Sequence, residues 1–331
     1  MINAHLSWKK IIFFITLFLF LITSHAHNHT QKVPAIWAWK ISSEKRTIYL
    51  LGELHSFSRL KNKIIDYQLG NDIYLLSDEI WTEYDGTTEF DGTTEGEKNP
   101  SIPLSTLLSP STWSRLKKEI RESINKLSAK KGEKTDQFIE NFIQKISQSD
   151  AYNAYFSIGV LVSTTLNVNN PDFYPQLGFG NNLKKEKKLR FEKNHFQIES
   201  STTATDAWTK HCSSKDKAED LINAALDDLD AAKTEYSNVS SKIQDAFLRS
   251  GTTLDEFINV YLGTTDGKIL HECNITPRNY EWLPKLKQRL ETKGEPITFL
   301  VGIGHIGGSE GLISLLRKEG YTDIKRIYSV E

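Results

Sequence analysis

The sequence predicts an α+β fold, in which a central mixed β-sheet is built from the N- and C-terminal segments and a large helical insertion lies between them. Three observations carry this. Apolar, β-branched runs of strand type cluster towards the two ends of the 331-residue chain. The stretch between them, about residues 104–262, is dominated by apolar residues at helical spacing. The phrase strand-Gly-x-x-His occurs once near each end, as Gly52 to His55 after Ile48-Tyr49-Leu50-Leu51, and as Gly302 to His305 after Ile297-Thr298-Phe299-Leu300-Val301.

Residues 1–26 read as an export signal outside the fold. Lys9 and Lys10 precede an apolar run from Ile11 to Ile22, and Ser24-His25-Ala26 places small residues where a signal peptidase reads. That run is shorter than the ~20 residues a membrane span needs, so no stable span is expected once the signal is removed. Residues 27–331 are expected to form one domain. Ala35 to Lys40 alternates as a strand and pairs with Thr47 to Leu51 across Ser42-Ser43-Glu44-Lys45, a hairpin that leads into His55. A short helix-like piece covers Asp72 to Leu76, and Glu79-Ile80-Trp81-Thr82-Glu83-Tyr84 alternates as a strand with Glu79, Trp81 and Glu83 on one face. The repeated Asp-Gly-Thr-Thr-Glu of Asp85 to Gly96 lacks the ligand order of an EF-hand and reads as a solvated loop.

Helical patterning follows. Ser109 and Pro110 match N-cap and first helical position, and Phe138, Ile139, Phe142, Ile143 and Ile146 form a stripe on the next helix. Ala151 to Leu166, with Tyr152, Tyr155, Phe156, Val160 and Leu161, has a composition suited to burial against the sheet. Phe196-Gln197-Ile198-Glu199 reads as a short strand, Lys215 to Leu248 as helical, and Thr253 to Glu256 as a capping box. Thr276-Pro277 is expected to open a helix closing at Gly294. Glu310 to Lys318 forms a last helix ended by Gly320, and Ile324 to Val330 the last strand. The helical insertion would then roof the strand ends.

The formal net charge of −1, without a basic stripe interleaved with aromatics, argues against a nucleic-acid partner. The two cysteines, Cys212 and Cys273, have no metal-ligand spacing, and in an exported chain the even pair reads as a disulfide. Imidazoles presented from neighbouring strand ends beside carboxylates are a plausible ligand set for a divalent transition metal, with His55, His305 and Glu83 as ligands. Such an ion can activate water for attack on a carbonyl, and Glu53, two residues before His55, can serve as the base or as a further ligand.

These motifs, together with Thr276-Pro277-Arg278-Asn279 and the run from Val301 to Leu312 through Gly320-Tyr321, resemble the TraB/GumN family, which includes the Tiki metalloproteases. The resemblance implies a metal-dependent hydrolase fold related to erythromycin-esterase-like and ChaN-like proteins. Position by position it implies His55 and His305 as motif histidines, Glu83 and Glu199 as acids of the metal site, and Arg278 and Asn279 as a polar pair at the catalytic site. Many relatives have threonine at the position of Glu53, whose role as base comes from the residues alone. The expectation is an exported, periplasmic or secreted hydrolase, most plausibly a peptidase, using Zn, Mn or Co on a peptide or small-molecule substrate. The alternative is a non-catalytic protein that sequesters such a molecule in the same cleft.

Overall fold

The computed structural model describes residues 31–34, 36–54, 56–57, 63–83, 102–129, 136–169, 176–177, 195–199, 211–212, 214–234, 243, 245–249 and 251–330. The export segment, His55 and the Asp85 to Gly96 repeat lie outside these residues. The central sheet has six strands: β1 (Ile36–Ser42), β2 (Thr47–Glu53), β3 (Glu79–Thr82), β4 (His195–Gln197), β5 (Ile297–Gly302) and β6 (Ile324–Ile327), in the order β6-β1-β2-β5-β3-β4. β1 and β2 form the expected antiparallel hairpin, with Ser42 opposite Thr47. Its turn is held by the Ser43 hydroxyl, which accepts from the Lys45 and Arg46 amides at 3.2 and 3.1 Å.

From β2 onward the sheet is parallel: β2 pairs with β5, β5 with β3, and β3 with β4. The sheet is therefore mixed and built from both termini, as the order of strand-like runs predicts, with β4 contributed from mid-chain. β1, β2 and β5 are buried along nearly their whole length, so β2 and β5 read as continuous apolar runs, and the alternation expected in Ala35 to Lys40 is corrected because Ile36 to Trp39 are all buried. Two short ladders lie outside this sheet, Gln31–Pro34 with Lys63–Asp66 and Ser56–Phe57 with Gln176–Leu177.

Ten α-helices concern the architecture: α1 (Gln68–Leu76), α2 (Leu104–Leu107), α3 (Pro110–Ala129), α4 (Asp136–Gln148), α5 (Ala151–Asn169), α6 (Lys215–Thr234), α7 (Leu254–Leu262), α8 (Thr265–Leu270), α9 (Thr276–Glu291) and α10 (Leu312–Lys318). Among the described residues the buried apolar side chains form two large cores and a small cluster around the disulfide. Trp282, Leu286 and Leu290 of α9, Leu312 and Leu316 of α10 and Phe257 and Ile258 of α7 pack with the strands. Each such side chain contributes about 1.5–3 kcal/mol on burial.

Helices α2 to α6 bury their apolar stripes on one another. Ala154, Ile158 and Leu161 of α5 share a core with Ala218, Ile222, Ala225 and Leu226 of α6. The expected burial of α5 against the sheet is thus corrected: its buried side chains pack on helices. Val160 is exposed on its outer face, and so is Phe138 of α4, although both were counted as apolar-face residues. Helical spacing shows that an apolar face exists but not which partner it meets. The N-terminus of α3 is capped by the Ser109 hydroxyl, and Glu219 of α6 accepts the Ser109 amide at 2.8 Å. The capping box before α7 is present, with the Thr253 amide donating to Glu256 at 2.8 Å and the Glu256 amide to the Thr253 hydroxyl at 3.2 Å.

The predicted helix start at Thr276-Pro277 is also corrected. α8, a π-helical turn (His271–Ile275) and α9 form one continuous helical run, in which the Thr276 amide donates to the His271 carbonyl. Thr276 keeps helical angles (φ −59°, ψ −52°) although a proline follows, a combination that local sterics disfavour. The wider π turn is where that mismatch is absorbed. Cys273 lies in this turn, disulfide-bonded to Cys212 with Cα atoms 5.1 Å apart. Both cysteines pack with Leu221 of α6 and Ile269 of α8, so the bridge joins the helical core to the run that continues into α9.

Candidate active site

Because β2, β5, β3 and β4 are mutually parallel, their carboxyl ends emerge along one edge of the sheet, the edge where open α/β sheets hold their ligands. β2 ends at Glu53, which is buried and pairs with Gly302 at the end of β5. After β5 a single 3₁₀ turn (Ile303–His305) presents His305. β3 and β4 continue their pairing past their last strand residues, since the Ile198 amide donates to Thr82 at 2.7 Å and the Glu199 amide to Glu83 at 3.3 Å. That extension sets Glu83 and Glu199 side by side.

Both carboxylates close on Arg278, in the first turn of α9. Its Nε donates to Glu199 Oε1 at 2.7 Å. One terminal nitrogen donates to Glu199 and, at 3.1 Å, to Glu83 Oε2, while the other faces His305 Nε2 at 3.3 Å. The second Glu83 oxygen accepts the Gly302 amide, and the second Glu199 oxygen accepts the Trp282 indole N–H at 3.0 Å. Arg278, Glu83, Glu199 and His305 are each 4–5 % exposed. Burial pushes the Glu199 carboxyl above its ordinary value, with Arg278 and Trp282 pulling it back. Burial works to lower Arg278 as well, but Glu83 and Glu199 together outweigh it and hold the guanidinium above its usual value.

The orientation of His305 is set by Asn279, the next residue of α9. The Asn279 side-chain nitrogen donates to the backbone carbonyls of His305 at 3.1 Å and Glu310 at 2.8 Å. Flipping the amide would set its oxygen against two carbonyl oxygens, so Asn279 Oδ1 must be the atom 2.7 Å from His305 Nδ1. An amide oxygen only accepts. In the neutral imidazole the proton therefore sits on Nδ1, and Nε2 carries a lone pair on the side of Arg278, a donor without acceptors, and of Glu83, whose Oε1 is 3.8 Å away. Trp282 backs the ring, with centroids 4.3 Å apart and planes 27° apart, and Arg278 lies 4.7 Å from the Trp282 ring centre.

Of the residues expected at the site, Glu83, Glu199, Arg278, Asn279 and His305 are brought into one hydrogen-bonded cluster, Glu53 ends the adjoining strand, and His55 lies outside the described residues. Trp282 was not singled out from sequence. Its signal was the i, i+4 spacing from Arg278, which puts both on one helix face. The glycines of this region permit close packing. A Cβ on Gly52 would lie 2.5 Å from Ile303 and 2.6 Å from Ile306, and one on Gly307 would lie 2.5 Å from Ile258. Gly308 has φ +84°, which only glycine adopts readily. They let the turn that carries His305 pack down on β2 and α7.

Among the described residues no group of three or more His, Cys, Asp or Glu side chains is arranged to hold an ion. Both Glu199 oxygens are engaged by Arg278 and Trp282, so in this geometry Glu199 anchors the arginine. His305 Nε2 and Glu83 Oε1 do fit as a pair: they stand 3.8 Å apart, and donors about 2.1 Å from a tetrahedral ion are about 3.4 Å apart.

The model of the TraB/PrgY/gumN family matches residues 37–323. No curated protein and no solved structure matches the chain.

Proposed function

The chain belongs to the TraB/PrgY/gumN family, and from that premise we propose that it is an exported, metal-dependent hydrolase, a peptidase before an esterase, acting at the carboxyl edge of the parallel strands. The observation that carries this is His305: a buried imidazole whose tautomer is fixed by Asn279, with its Nε2 lone pair turned to Glu83. Metal-ligating histidines are commonly held in this way, the other ring nitrogen donating to an oxygen acceptor. His305, Glu83 and His55 would hold the ion. When bound it supplies Lewis acidity, polarising a carbonyl and making water acidic enough to attack near neutral pH.

The other residues divide the remaining work. Asn279 and Trp282 hold the imidazole. Glu199, Trp282 and Lys285, which donates to the Ile198 carbonyl, fix the ends of β3 and β4 against α9. Glu53, at the end of β2, is proposed to take the proton of the attacking water. Export is supported by the disulfide, which persists in oxidising compartments, and by the sequence of residues 1–26. No helix among the described residues is long and apolar enough to cross a membrane.

The test is a cleavage screen of the chain without residues 1–26 against a peptide library and ester probes, with and without added Zn2+, Mn2+ or Co2+. Hydrolysis that needs the ion and is lost in His305→Ala supports the proposal. Stoichiometric capture of a peptide without turnover would favour the non-catalytic alternative.

A further inference from the structure

The Arg278 guanidinium makes contacts of two kinds. On one side it is fixed to Glu199, through Nε at 2.7 Å and a terminal nitrogen. On the other it reaches the two groups that a metal ion would need, Glu83 Oε2 at 3.1 Å and His305 Nε2 at 3.3 Å. The contacts on this second side are the longer ones. A guanidinium also lacks an acceptor, so wherever it faces the His305 lone pair it can only cap it.

We propose that Arg278 is the resident cation of this site, competing with a divalent metal ion for Glu83 and His305, while Glu199 is the anchor that retains the guanidinium when the ion takes them. The inference rests on the hydrolase reading above and adds to it that metal affinity is set low by this chain's own arginine. Burial is what makes the competition matter. With the guanidinium removed, Glu83 and Glu199 lose the cation they share, a change that costs several kcal/mol and that a divalent cation relieves. With Glu199 neutralised, the guanidinium loses its anchor, keeps Glu83 and holds it more firmly. The two changes therefore move metal affinity in opposite directions. The arginine variants are what separate competition from a merely structural role of Arg278, because loss of a structural support would weaken the site and loss of a competing cation strengthens it.

The experiment is calorimetric titration of the wild-type chain, Arg278→Gln, Arg278→Lys and Glu199→Gln with Mn2+ and Zn2+ alone, with His305→Ala as the ligand-loss control and far-UV circular dichroism to verify folding. Arg278→Gln is expected to bind about tenfold or more tightly than wild type. Arg278→Lys, whose single nitrogen cannot cover three groups, should fall between, and Glu199→Gln should bind more weakly than wild type. If Arg278→Gln does not fold, the opposite displacements of Arg278→Lys and Glu199→Gln carry the test. Wild-type binding that is unchanged or weakened in both arginine variants would overturn the proposal and leave the hydrolase reading standing. Binding by Arg278→Gln but not by wild type would support the competition and overturn the metal-dependent hydrolase. Binding by none of the proteins would end both.

Discussion

Arg278 and Arg326 both lie over a tryptophan, 4.7 Å from the ring centre of Trp282 on α9 and 4.0 Å from that of Trp37 on β1. Arg326, on β6, is also 5.8 Å from Trp39 and 5.1 Å from Tyr328, and it donates to the Thr252 carbonyl at 3.0 Å. Burial acts on the two in the same sense, disfavouring the charge. At Arg326 burial prevails and the guanidinium is held below its ordinary value, whereas at Arg278 two carboxylates reverse the sign. Aromatic stacking is common to both flanks, and carboxylates are what turn one of them into a charge centre.

The largest expected effect separates the flanks directly. Arg278→Met should cost about 3–5 kcal/mol in urea unfolding, because it strands two buried carboxylates. That loss should shrink in acid: without the arginine the folded carboxyls sit above their unfolded values, so stability is present at low pH and lost as pH rises through them. Adding Glu83→Gln and Glu199→Gln to Arg278→Met should recover much of the stability. A pH-independent loss under 1 kcal/mol would mean that the two arginines do the same job.

Next comes the tether. Cys273 is in the π turn just ahead of Arg278, and its bond to Cys212 closes a sequence separation of 61 residues. Replacing both cysteines by serine should cost about 2–4 kcal/mol. Hydrogen exchange should then rise in α8 and the first turn of α9 more than in β6. Equal protection in both regions would show that the bridge does not steady the site. A smaller effect belongs to Arg326→Met, which should lose roughly 1 kcal/mol, the size of a partly buried cation–π contact. A loss as large as that of Arg278→Met would break the contrast.

Much of this contrast was legible in sequence, but unevenly. Strand-type runs at both ends, Glu83 and His305 could be picked out because local pattern carries them, whereas Glu199 and Arg278 came from the resemblance to the family. What pattern does not carry is who faces whom. Glu83, Glu199 and Arg278 come from three distant segments, and their charge balance exists only once β3 and β4 run past their ladders towards α9. The π turn was invisible because Thr-Pro has the local signature of a helix start, and only the continuing backbone shows otherwise. Why Gly52 and Gly307 must be glycine shows only once the isoleucines above them are placed. Val160 and Phe138 were misjudged for the converse reason: apolar composition says nothing of the side on which a partner lies.

The smallest expected effect is at His271 in the π turn. The side chain is buried, its Nδ1 is 3.4 Å from the Thr276 hydroxyl, and its Nε2 makes no hydrogen bond among the described residues. Burial lowers its pKa below 6.5, against the opposing pull of Glu272 and Glu310. The unfolded chain therefore takes up this proton at a higher pH than the folded one. Its contribution to stability is complete above about pH 6.5 and is lost as pH falls through the lowered folded value. This is opposite in sign to the acid dependence expected of Arg278→Met, so one pH series distinguishes the turn from the cluster it precedes. Measured with chelator present, wild type should lose stability between pH 7 and pH 5 more steeply than His271→Gln, by less than any of the effects above. Parallel curves for the two proteins would show that the imidazole is as easily protonated folded as unfolded, and that the π turn holds it only by shape.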